Sequence, residues 1–67
     1  MRRIALSKKI KLIRSGMGWS QAELAAYLKK TPGTISRYET GMAIPPGDVL
    51  DKIYALKDRV RDLTFEF

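Results

Sequence analysis

Residues 20–41 read SQAELAAYLKKTPGTISRYETG, and this stretch decides the fold. Ser20 with Glu23 three residues later is a helix start signal. The hydroxyl accepts from a free backbone N–H of the first turn while the glutamate reaches back to the cap. Leu24, Ala25 and Leu28 then fall on one side at helical spacing, which predicts a helix over about residues 21–29. Thr31 before Pro32 repeats the signal, because proline at the first helical position loses no needed hydrogen bond and the residue before it resists helical dihedrals. The first helix therefore stops by about Lys30, and a second covers 32–40 with Gly41 as its stop.

Two short helices joined by a tight turn, the second opening with Thr-Pro-Gly-Thr, have the layout of a helix-turn-helix DNA reader. With Ile35 taken as the inward direction, steps of about 100° put Gly33, Arg37 and Thr40 on the far side and Thr34 and Ser36 on the flanks. That outer face is small, polar and cationic. A helix entering a groove about 12 Å wide needs slim residues for close approach and a long donor for a base edge, and this face has both. An ordinary amphipathic helix with a polar outer side reads the same way, so periodicity alone leaves both open.

Upstream, Leu6, Ile10, Ile13 and Met17 form one stripe, predicting a helix over 6–15 that Gly16 and Gly18 end. Downstream, Ile44-Pro45-Pro46-Gly47 makes a stiff connection to a fourth helix with Asp48 as its N-cap and Val49, Leu50, Ile53, Tyr54 and Leu56 on its apolar side. Beyond it, Val60 and Leu63 extend a helical stripe, while Leu63, Phe65 and Phe67 alternate with Thr64 and Glu66 like a strand. A short fifth helix and a C-terminal strand both remain open. The expected fold is an all-α, compact, four- to five-helix domain.

Thirteen Lys and Arg against seven Asp and Glu give +6 on 67 residues, room for one small domain over 1–67. Such a chain buries only about 60% of its unfolded surface, so its stability is a few kcal/mol. With no Cys and no His, disulfide frameworks, thiolate nucleophiles, zinc sites and histidine-based acid–base catalysis are excluded. The remaining acids and lysines offer no catalytic constellation, which argues against an enzyme, a metal or a cofactor. The apolar runs are far below the roughly 20 residues a membrane-spanning helix needs, and lysines interrupt any signal-peptide core after Met1. The expectation is a cytoplasmic protein.

Charge is unevenly placed. Residues 1–44 carry nine basic and two acidic side chains, a net +7, whereas residues 45–67 carry −1. Such asymmetry suggests a phosphate-binding body joined to a segment with another task, such as self-association.

The residues resemble the Cro and phage-repressor helix-turn-helix family, the XRE type, over about residues 10–56. The match runs through Ile10 to Arg14, Trp19 to Ala25, Thr31 to Gly41, and Pro46 with the helix after it. The resemblance implies that Gln21, opening helix 2, clamps a DNA phosphate together with the free N–H groups there. Ser20 and Thr40 match further backbone-touching positions, and Arg14 and Glu39 match a partly buried structural ion pair. Base contact is expected from Thr31, Pro32, Gly33, Thr34, Ser36 and Arg37. Arg37 leads, as a bidentate partner of guanine. Lys30, Lys11, Arg2 and Arg3 are further phosphate candidates, and an Arg2-Arg3 arm suits the minor groove. Trp19 and Tyr38 read as packing residues.

The sequence departs from the family at Lys29-Lys30, where glycine followed by an apolar residue makes the turn. A left-handed Lys29 costs about 1 kcal/mol relative to glycine, leaving room for a differently shaped turn and a one-residue shift of the reading helix. The resemblance implies a double-stranded DNA-binding transcription regulator, a small Cro-like homodimeric repressor of its own promoter, associated with the nucleoid through DNA. Its operator is two-fold, with half-sites about 34 Å apart. Leu63, Phe65 and Phe67, within a tail over 57–67, are the candidate dimer interface, and no small-molecule ligand is expected. Two other readings are an antitoxin, whose tail wraps a protein partner, and nonspecific DNA or RNA binding.

Overall fold

The computed structural model describes residues 5–60, and every regular element in that range is a helix. The order is α1 Leu6–Gly16, α2 Gln21–Leu28, α3 Pro32–Thr40 and α4 Gly47–Lys57. Each contributes two or three side chains to one core: Ile10 and Ile13, then Leu24, Ala25 and Leu28, then Ile35 and Tyr38, then Val49, Ile53 and Leu56. Leu6, Met17, Trp19, Ala43 and Tyr54 pack around this centre. Helix α1 lies against both α3 and α4, and α2 packs on α3, so α3 is held from two sides.

The helix boundaries follow the local signals closely. Ser20 Oγ accepts from Glu23 N–H at 3.1 Å and Glu23 Oε1 accepts from Ser20 N–H at 2.9 Å, so the capping box that opens α2 is complete. Thr31 Oγ1 accepts from Thr34 N–H at 3.3 Å at the start of α3, and Pro32 is its first residue. Gly41 closes α3 with φ +81°, in the left-handed region that glycine enters without a Cβ penalty.

Three expectations are corrected. Helix α1 runs one residue further than expected, to Gly16, and it is Gly18, at φ +73°, that turns the chain away. Asp48 is not the N-cap of α4: Pro45 is buried, Pro46 holds the chain extended at φ −58°, ψ 159°, and the helix starts at Gly47. The aspartate lies instead in the first turn, where its charge still favours the positive helix end. Helix α2 ends at Leu28, and Lys29 itself takes the left-handed conformation at φ 57°, ψ 44°. The turn thus keeps its ordinary shape and α3 starts unshifted, because Lys30 N–H donates to Ala25 O at 2.8 Å and Lys29 N–H to Ala26 O at 3.3 Å, the paired bonds of a Schellman closure.

After α4, the N–H groups of Arg59 and Val60 donate to the carbonyls of Leu56 and Lys57. Val60 packs directly on Gly16, where a Cβ would stand 2.4 Å from Val60 Cγ1. The Arg2-Arg3 arm and the tail residues Leu63, Phe65 and Phe67, with the choice between a fifth helix and a strand, lie outside the described residues.

Candidate nucleic-acid interface

The joint between α1, α2 and α3 is polar and built around one carboxylate. Arg14, on α1, donates from Nε to Glu39 Oε2 at 2.5 Å and from Nη2 to Oε1 at 3.1 Å, a bidentate pair between helices 25 residues apart. Its Nη1 donates to Trp19 O at 2.7 Å, fastening the segment that leads into α2. Glu39 Oε1 also accepts from Gln21 Nε2 at 3.1 Å. One acid near the end of α3 thereby holds α1 and the first residue of α2. Its side chain is nearly sealed from solvent, and three donors, Arg14 Nε, Arg14 Nη2 and Gln21 Nε2, satisfy its oxygens there.

This joint fixes the two ends of the candidate surface. At one end stand Ser20 and Gln21, with Thr40 next to Glu39 on α3. At the other, one α3 length away, stand Lys30, Thr31 and Pro32; nine residues at 1.5 Å each make that length about 13 Å. Between them the outer side of α3 is as the helical wheel predicts: Gly33, Arg37 and Thr40 are exposed, Thr34 and Ser36 half-buried, and Ile35 fully buried on the opposite side. Thr40 Oγ1 donates to Ser36 O at 3.0 Å, and the Thr31 and Thr34 hydroxyls lie 2.9 Å apart, so these groups are partly committed within the helix. Arg37 carries no such commitment among the described residues. Lys11 is exposed on α1. Trp19 and Tyr38 pack as expected: Tyr38 is buried, and the Trp19 ring lies half-buried against the core, 5.4 Å from the ring of Tyr27.

Sequence reasoning gave Met42 and Ile44 no role, yet both are 79% exposed in the loop between α3 and α4. Two apolar residues in a loop bounded by Gly41 and Pro45 were the available signal. The Gln21–Glu39 bond was also missed, since nothing local links residues 18 apart.

A helix-turn-helix family model matches residues 10–53, from within α1 to within α4. The chain belongs to this helix-turn-helix family, the Cro and repressor-like XRE type. It is a DNA-binding transcription regulator in kind, with double-stranded DNA as its partner. No curated protein and no solved structure matches the chain. No helix among the described residues is long and apolar enough to cross a membrane, and none of their acidic side chains cluster to hold a metal.

Proposed function

We propose that this chain is a sequence-specific regulator that binds a two-fold operator as a Cro-like homodimer and represses its own promoter. The observation that carries the reading is the outer face of α3, where Arg37 is the exposed cation beside a Cβ-free Gly33, directly opposite the fully buried Ile35. Arg37 pairs bidentately with a guanine, with Thr31, Pro32, Gly33, Thr34 and Ser36 in close van der Waals approach to neighbouring pairs. Gln21, Ser20 and Thr40 hold phosphate at one end of α3, and Lys30 does so at the other, with Lys11, Arg2 and Arg3 adding charge. Few of these side chains are base-edge donors, so DNA shape supplies part of the specificity. Leu63, Phe65 and Phe67 form the dimer contact. The whole of 1–67 acts as one domain without catalysis, cofactor or small-molecule effector.

The test is selection of binding sites from randomised duplex DNA, followed by binding of the selected and a scrambled duplex at two salt concentrations. The expected result is a two-fold-symmetric motif bound about a thousand-fold more tightly than scrambled DNA. Absence of an enriched motif, with affinity falling equally for all sequences as salt rises, overturns the operator reading.

A further inference from the structure

Helices α2 and α3 end in the same way but with different residues. Each closes on a left-handed residue and a bond from the following N–H to the carbonyl five residues back: Lys30 to Ala25 at 2.8 Å, and Met42 to Arg37 at 2.9 Å. At the end of α3 the left-handed residue is Gly41, to which that conformation costs nothing. At the end of α2 it is Lys29, the only non-glycine residue at positive φ among the described residues. The turn geometry therefore does not call for a side chain; it is adopted in spite of one. A residue held in an unfavourable conformation points to a role outside local stability.

The surroundings of Lys29 indicate that role. It is exposed, as is Lys30, and neither ammonium has a partner among the described residues. Only Lys30 and Thr31 separate it from Pro32, so its Cα lies within about 11 Å of the first residue of the reading helix. Helix dipole compensation alone does not account for it, because the last turn of α2 has exposed positions at ordinary dihedrals, Ala26 and Tyr27, where a cation would serve the helix end equally well. That last turn of α2 holds no basic residue. The left-handed residue instead sets an exposed lysine at the corner between α2 and α3, three residues before the N-terminal end of α3.

We propose that Lys29 is a DNA phosphate-binding residue, holding the backbone strand that flanks the N-terminal end of α3, at the expense of the stability of the turn. The inference rests on the DNA-binding reading of α3 and adds to it a contact at the turn. Lys29 supplies affinity without sequence preference, since a phosphate is the same at every step of the duplex.

Two variants separate charge from strain. Lys29→Gly removes both, and Lys29→Gln removes the charge while keeping the Cβ. Binding of a selected duplex and a scrambled duplex is measured across a salt series for both variants and the unaltered chain, alongside thermal unfolding without DNA. The expected result is that both variants lose affinity several-fold on both duplexes, with the slope of log K against log salt reduced in magnitude by about 0.9. Lys29→Gly alone raises Tm, by roughly 4 °C. Unchanged affinity and slope in both variants overturn the phosphate role, and a lowered Tm in Lys29→Gly overturns the account of the turn. Failure of the unaltered chain to bind either duplex would instead remove the DNA-binding reading beneath both.

Discussion

Arg14 does more than balance Glu39, because its three nitrogens reach a carboxylate on α3 and the Trp19 carbonyl ahead of α2. Replacing it with alanine strands a nearly sealed carboxylate and leaves that carbonyl without its guanidinium donor, a loss of about 3 kcal/mol by analogy with other broken buried pairs. In a chain this small, that is a large part of the total stability. Arg14→Ala is expected to be largely unfolded in modest urea, whereas Arg14→Met combined with Glu39→Leu recovers much of the loss. A single variant within about 0.5 kcal/mol of the unaltered chain would show the pair to be superficial. Arg37 predicts the opposite pattern. It is exposed and makes no described contact, so Arg37→Ala leaves urea unfolding unchanged. On DNA it removes about 1–3 kcal/mol of preference at one base pair. Uniform weakening across all sequences would reassign it to phosphate.

Helix ends and helix contacts obey different information, and two substitutions expose the difference. Ser20→Ala removes the acceptor for Glu23 N–H and is expected to cost about 1 kcal/mol, or 4–8 °C in Tm, with Ser20→Gly losing only a few tenths. A Tm unchanged in Ser20→Ala would show that the box does not hold α2. Gly16 gives a test of packing. Alanine there gains about 1 kcal/mol of helix propensity, but its Cβ would meet the stiff Val60 side chain at 2.4 Å. Gly16→Ala is therefore destabilising in the natural chain and stabilising in a Val60→Ala background; the same sign in both would refute the contact. The caps at Ser20, Thr31 and Gly41 were legible because their cause lies within four residues. The Gly16–Val60 contact and the Gln21–Glu39 bond were not, since each joins segments that only the folded chain brings together. Asp48 misled because the residue type marks a helix start without fixing which position it fills, and the Pro45-Pro46 pair decided that. At Lys29 the sequence left the turn open between two shapes, and the structure shows the left-handed one, closed by bonds to Ala25 and Ala26. The outer face of α3 was read correctly by period alone, and the resemblance supplied the Arg14–Glu39 pair.

The charge of the molecule is concentrated in residues 1–44, which hold +7, while the remainder is close to neutral. Like charge on the body opposes the approach of two copies, so the proposed homodimer is assigned to the weakly charged part, where Leu63, Phe65 and Phe67 are the apolar candidates. Phe65→Asp with Phe67→Asp is expected to convert a dimer to a monomer in sedimentation equilibrium. Among the described residues the core lies within 10–56, and with the phenylalanines acting at the proposed interface the unfolding of the four-helix body should change little. On DNA the two forms separate by salt dependence, because each protomer releases counterions from its own phosphate contacts. The dimer on a full operator should show a log K against log salt slope about twice that of the doubly substituted chain on a half-site. Loss of helical content in the variant would place these phenylalanines in the core instead. An unaltered chain that sediments as a monomer, yet binds the full operator with the half-site slope, would place all recognition in a single copy of α3.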